Sequence, residues 1–278
     1  MLRHIGFIGQ GYVGGAYADY FESRGFSAVR YSLDPPFAAN KDRLIECSLV
    51  FVCVPTPATP GACFDCSIVE ESLRLLTLRS GTLVVIKSTL LPGTTARLQN
   101  DFPTLVLLHS PEFLSVATAA HDAAHPWGNI IGLGADSVRH AVAAVAVRAI
   151  LPRAPFNLTC SGTQAELIKY AHNLSAIMQI LTVNTLFDVA QQEGESWGPV
   201  AAALAADPTI PARYSNPVFN GQRGAGGGCF IKDLVAFAGL SGSPLLRAAE
   251  QYNRTLLTEQ DRDLADAVYG LDTSRKLV

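Results

Sequence analysis

Gly9-Gln10-Gly11-Tyr12-Val13-Gly14 stands directly after the apolar run Ile5–Ile8 and opens a helical pattern that continues to Ser23. No other feature limits the fold of this chain as strongly. In such a turn the first glycine permits the sharp bend, the second lets backbone approach a pyrophosphate, and the third lets helix and strand pack closely. The helix N-terminus then offers N–H groups and the positive end of its dipole to phosphate.

The pattern that follows repeats the theme. Strand-like runs at Ala28–Leu33, Leu49–Val54, Thr82–Ile86, Thr104–Leu108 and Asn129–Leu133 alternate with helical patterns at Asp42–Cys47, Ser67–Leu78, Thr94–Asn100 and Ser137–Ile150. Short continuous apolar strands separated by helices imply a parallel sheet covered on both faces. Pro152 and Pro155 mark the exit from this unit. From Thr163 to Glu193 there is neither Gly nor Pro, and apolar residues recur at helical spacing, which predicts one long helix stopped at Gly194. A shorter helix (Pro199–Ala206), a Gly- and Pro-bearing loop (Pro208–Gly228), a helix after Cys229 and a last one from Leu245 to about Tyr269 complete the chain. The predicted class is α/β: an N-terminal Rossmann-like, doubly wound parallel sheet over residues 1–155, then an all-α domain on one long central helix over residues 156–278. The apolar stripe of residues 163–193 needs more cover than the remaining chain supplies, so a homodimer through that helix is expected.

Composition narrows the function classes. With 49% hydrophobic and 16% charged residues the chain can bury a full core, and a net charge of −3 without a basic block speaks against nucleic acid as a partner. No apolar run is long enough to span a bilayer, so no membrane role is expected. The first residues enter a strand pattern at once, leaving no room for a signal peptide, and the six cysteines are then most simply reduced thiols in a cytoplasmic protein. Cys63-Phe64-Asp65-Cys66 has no second pair and no His at ligand spacing, so no metal site is expected. His109, His121, His125 and His172 form no recognisable constellation.

Two further segments carry chemistry. Gly226-Gly227-Gly228-Cys229-Phe230-Ile231-Lys232-Asp233 sets a thiol after three glycines and at a predicted helix start, where the nucleophilic thiolate is favoured. Lys169 and Asn173 lie four apart on the long helix, share one face, and together can bind a developing oxyanion. The end of the second strand should supply an acid for the adenosine ribose. There Ser32, well placed but uncharged, competes with the later Asp34, so NAD is the expected cofactor while Arg30 nearby keeps NADP open.

With these pieces in place the chain resembles the UDP-glucose/GDP-mannose 6-dehydrogenases. The matching motifs, in the family's order, are Gly9-x-Gly11-x-x-Gly14, Val54-Pro55-Thr56-Pro57, Lys87-Ser88-Thr89-Leu90-Leu91-Pro92-Gly93-Thr94-Thr95, Pro111-Glu112-Phe113-Leu114, Ala165–Asn173 and the Cys229 segment. The resemblance implies a double oxidation of a nucleotide-sugar C6 alcohol to a carboxylate with two NAD, through a thiohemiacetal and a thioester on Cys229. It implies oxyanion roles for Lys169 and Asn173, water and proton relay by Asp233 and Thr89, and a carboxylate role for Glu112. It further implies cofactor contacts from Gly9, Gly11, Tyr12, Val13, Gly14, Ser32, Asp34, Val54, Pro55, Thr56, Thr89 and Lys232. Substrate contacts are implied for Glu112, Phe113, Leu114, Lys169, Asn173, Gly226 and Gly227.

Two departures stand out. The family's second glutamate is replaced by Val116, and Ser32 stands where its ribose acid is expected. A third, nucleotide-sugar-binding domain implied by the resemblance has no counterpart among the 278 residues. The alternatives are a two-electron dehydrogenase of the 3-hydroxyacid type and a non-catalytic dinucleotide-binding scaffold.

Overall fold

The first strand of the computed structural model, β1 (His4–Ile8), leads through the glycine turn into α1 (Tyr12–Ser23) and on to β2 (Ser27–Tyr31). The structure describes residues 4–59, 63–219 and 221–258. A 3-10 segment (Ala38–Glu46) precedes β3 (Leu49–Val52), and the short β4 (Ala58–Thr59) and β5 (Cys63–Phe64) precede α2 (Ser67–Arg74). Then come β6 (Leu83–Ile86), α3 (Thr94–Asp101), β7 (Val106–His109), α4 (Ala119–Ala124), β8 (Gly128–Leu133), α5 (Val138–Ile150) and β9 (Phe156–Ser161). The remainder is α6 (Gly162–Gln192), α7 (Gly198–Ala206), β10 (Val218–Phe219), β11 (Gln222–Arg223), α8 (Gly228–Ser241) and α9 (Pro244–Thr258). The predicted continuation of the last helix to Tyr269 lies outside the described residues.

The chain forms two compact units. The first comprises the residues up to Thr56 together with Asp65–Lys169, and the second Pro57–Phe64 together with Tyr170 onward. In the first, a seven-stranded sheet has the order β2-β1-β3-β6-β7-β8-β9. β3 and β6 are buried along their whole length because helices cover both faces, which is why they read as unbroken apolar runs. Phe7 stacks on Phe51 at 5.2 Å and both meet Phe21 of α1. Truncating such a ring to alanine costs about 3–5 kcal/mol.

Two details differ from a uniformly parallel sheet of six strands. β8 pairs antiparallel with β7 through Leu108 and Leu133, and β9 is a seventh strand, parallel to β8, beyond the prolines that mark the predicted exit. A 3-10 turn (Val116–Thr118) and the short α4 lie between β7 and β8, and an antiparallel neighbour needs no full crossover helix. α5 then supplies the crossover to β9.

The second unit takes in the later turns of α6 with α7, α8 and α9. Its core gathers Ile177 and Leu181 with Leu234, Ala238, Leu246, Ala249 and Leu256. Its two small ladders, β4–β5 and β10–β11, pair antiparallel. Gly194, at φ +74°, ends the helix where a left-handed residue is needed. Among the described residues no helix is long and apolar enough to cross a membrane.

Candidate functional site

The glycine turn is dictated by packing on one side and openness on the other. A Cβ on Gly9 (φ +89°) would lie 2.6 Å from the Cys53 carbonyl oxygen, and one on Gly14 would lie 1.9 Å from that of Gly9. Gly11 caps α1 in extended conformation, and a Cβ there would meet nothing within 4 Å. Two glycines therefore bring strand and helix together, and the third leaves the backbone open to a ligand. The first turn of α1, with Tyr12 and Val13, carries no acid to repel phosphate. This cradle fits a dinucleotide pyrophosphate.

At the end of β2 the Ser32 hydroxyl donates to the Asp34 carbonyl at 2.9 Å, folding the loop on itself. Arg30 is engaged elsewhere: its guanidinium reaches Asp19 at 2.6 Å and Glu22 at 2.5 Å, both on α1. The neighbouring loops are tied together. Ser88 donates to the Val54 carbonyl at 2.7 Å and Thr56 to the Thr89 carbonyl at 3.0 Å, so Val54-Pro55-Thr56 and Thr89 form one rim.

The Pro111–Leu114 segment leaves β7 beside this rim. Glu112 is buried, and its carboxylate accepts from the Leu114 N–H at 2.7 Å. Lys169, equally buried on α6, donates to the Glu112 carbonyl at 2.7 Å and lies 3.3 Å from its carboxylate. The same ammonium stands 5.4 Å from the centre of the Phe113 ring. Val116 is 71% exposed in a 3-10 turn, so its side chain supplies nothing to the buried pair.

The second unit holds its own group. Asn173 donates to one Asp233 oxygen and Lys232 to the other, each at 2.6 Å, and Asp233 is wholly buried. Lys232 also stands over the Phe64 ring at 5.7 Å. Cys229 is exposed in the first turn of α8, whose cap, Gly227, has φ +79°. A Cβ on Gly226 would lie 3.9 Å from both Gln222 and Leu257, an ordinary contact, so packing does not exclude a side chain there. Among the described residues no cluster of His, Cys, Asp and Glu is arranged to hold a metal ion.

Two residues near these groups have surroundings that sequence reasoning misses. Asn253 on α9 is fully buried; it accepts from the Ala225 N–H at 2.7 Å and donates to the Ala225 carbonyl at 3.1 Å, bracing the glycine loop before Cys229. Lys87, at the end of β6, is a buried lysine that hydrogen-bonds hydroxyls. An amide on an amphipathic helix and a lysine after a strand give no signal of burial in sequence.

The chain is similar to proteins already known. Residues 37–148 match the NAD binding domain of the UDP-glucose/GDP-mannose dehydrogenase family, and residues 163–255 match its central domain. UDP-glucose 6-dehydrogenase of Rhizobium meliloti (strain 1021) is 30% identical over 70% of this chain and 46% of its own length. The structure of a UDP-glucose dehydrogenase from Pyrobaculum islandicum superposes with a TM-score of 0.78 at 25% identity, covering 93% of this chain and 71% of that one. A 3-hydroxyisobutyrate dehydrogenase of Mycobacterium tuberculosis shares the fold, with a TM-score of 0.73 at 17% identity over 98% of this chain and 100% of that one. The chain spans about half the length of the curated relatives it matches. On both domain matches, the chain belongs to the UDP-glucose/GDP-mannose dehydrogenase family.

Proposed function

We propose that this chain takes part in NAD-dependent oxidation of the primary, C6-type alcohol of a nucleotide sugar such as UDP-glucose, or of a related sugar or nucleoside, to the carboxylate. The observation that carries the proposal is on α6. Lys169 and Asn173, one helical turn apart, are both buried, and each is oriented by a carboxylate, Glu112 and Asp233 respectively. Buried donors already fixed in place are suited to stabilise charge that develops on a substrate oxygen.

NAD, held at the glycine cradle, supplies a hydride acceptor. In the proposed course Lys169 and Asn173 hold the alcohol oxygen as its proton passes through the Thr89 relay to water and the carbon loses hydride. The Cys229 sulfur then adds to the aldehyde carbon to give a thiohemiacetal. A second hydride loss leaves a thioester, and water, relieved of a proton by Asp233, releases the acid and restores the thiol. Glu112 keeps Lys169 on station, and Thr89, tied to Thr56 on the rim, would serve as a proton relay. Val116 removes general acid–base help that a second glutamate would give, typically worth about 10²- to 10⁴-fold. We also infer a homodimer through residues 163–193, supported by the exposed Leu167, Leu186 and Val189 on that helix.

The test is stoichiometric. Purified protein is mixed with NAD or NADP and a panel of UDP-glucose, GDP-mannose, UDP-N-acetyl sugars and nucleosides. Two reduced cofactors per substrate, falling to one or fewer in Cys229→Ser, is the expected result. One per substrate, unaffected by Cys229→Ser, would favour a two-electron dehydrogenase of the 3-hydroxyacid type. Cofactor binding without turnover on any substrate would leave the scaffold reading.

A further inference from the structure

Lys87 is 4% exposed. Its ammonium donates to Ser110 Oγ at 3.1 Å and lies 3.3 Å from the Tyr17 hydroxyl and 4.4 Å from the centre of that ring. Neither partner is a carboxylate. A desolvated ammonium without an ion pair is costly, and an apolar side chain of the same length would remove that cost. Stability therefore does not account for a lysine here, and such groups gather at working sites.

Its neighbours suggest the work. Tyr17 belongs to α1, the helix opened by the glycine cradle, and Ser110 stands two residues before Glu112. Glu112 is the carboxylate whose field reaches Lys87 and to which Lys169 is bonded. We propose that Lys87 is a positioning residue for Glu112: by linking Ser110 to Tyr17 it fixes the strand end that presents Glu112 to Lys169, and it supplies that carboxylate with a second positive charge. The proposal rests on the dehydrogenase reading only for its catalytic consequence.

Burial holds the Lys87 ammonium down to about 8. The other titratable groups facing this cluster are Tyr17, Cys53, His109, Asp122 on α4 and Lys169 on α6. Burial raises Tyr17 and pushes Cys53 up to about 12, and it lowers His109 to about 3. Loss of a step near 8 in Lys87→Met therefore identifies it as the titration of Lys87.

The experiment follows the carboxyl carbon of Glu112 by NMR in protein labelled at glutamate, with Glu112→Gln identifying the resonance. In the wild type the resonance should move with a midpoint near 8. The step should vanish in Lys87→Met and also in Lys87→Arg, because a guanidinium keeps its proton across the accessible pH range. No step in the wild type, or a step that survives in Lys87→Met, overturns the proposal. If Lys87→Met does not fold, Ser110→Ala carries the test: the midpoint should move by at least about half a pH unit, and an unmoved midpoint overturns the proposal. Where the wild type turns over a substrate, Lys87→Met should lower kcat at least about tenfold and Lys87→Arg should restore most of it. An unchanged kcat in Lys87→Met also overturns it. A wild type inert on every substrate would sink the dehydrogenase reading, and the carboxyl titration would then decide on Lys87 alone.

Discussion

The Lys169 ammonium sits 2.7 Å from the carbonyl oxygen of Glu112 and 3.3 Å from its carboxylate. One residue thus holds the lysine through both its main chain and its side chain. If Lys169 stabilises an oxyanion, Lys169→Ala should lower kcat by about 10²- to 10³-fold. Glu112→Gln keeps the carbonyl contact and should lose less. Single-turnover reduction of NAD with saturating sugar nucleotide measures both, and a Lys169→Ala rate within about threefold of wild type would exclude the role.

Asn253 predicts an effect on a residue it does not carry. Its paired bonds to Ala225 fix the loop that leads to Cys229, and a Cβ on Gly224 would come within 2.9 Å of its side-chain oxygen. Asn253→Ala leaves a buried N–H and C=O without partners, a loss of about 1–3 kcal/mol. Cys229 alkylation by iodoacetamide should change rate at least about threefold in Asn253→Ala, while Tm falls. Equal alkylation rates in the two proteins would show that the loop holds its shape without this brace.

β3 and β6 are legible in the sequence because burial on both faces leaves no polar position to interrupt them. The turn from Gly9 to Gly14 is legible because backbone contact at Gly9 and Gly14 excludes any side chain. β9 is hidden because Phe156, Asn157 and Thr159 are exposed at a sheet edge just after two prolines. Glu166 looks like an ordinary acid near the start of α6, yet its carboxylate accepts from the Gly93 and Thr95 N–H groups at 2.6 Å each and so caps α3. Partners of this kind, seventy residues apart, have no local trace in sequence. Lys169, Asn173 and Cys229 are singled out by spacing and setting, and Glu112 and Asp233 by resemblance; that these two carboxylates bond Lys169 and Asn173, and that Asn253 braces the glycine loop, belongs to the folded chain.

Arg30 bears on cofactor choice. Its side chain is bonded to Asp19 and Glu22 and is not offered to a ribose 2′-phosphate. NADH should therefore bind at least about tenfold more tightly than NADPH, although Ser32 carries no charge to repel the phosphate. The double substitution Asp19→Asn, Glu22→Gln should release Arg30 and narrow that ratio. Fluorescence titration with the two reduced cofactors reads it directly; an unchanged ratio would mean that Arg30 does not reach the ribose even when unpaired.

His109, wholly buried at the end of β7, gives the chain an acid limit. Burial chiefly, helped by the nearby Lys87 and Lys169, lowers it from 6.5 to about 3. The folded protein keeps the ring neutral through that window, while the unfolded chain takes up a proton. The unfolded state thus binds more protons, so stability falls as pH drops from about 6.5 toward 3 and is fully present above 6.5. Each pH unit of that window is worth roughly 1.4 kcal/mol at most. His109→Gln removes the titration while keeping a polar side chain of similar size. Urea unfolding at about pH 7 and about pH 4.5 should show a larger loss for the wild type than for His109→Gln, by on the order of 2 kcal/mol. Parallel losses in the two proteins would show that His109 is protonated in the fold, with a polar partner or water meeting its charge.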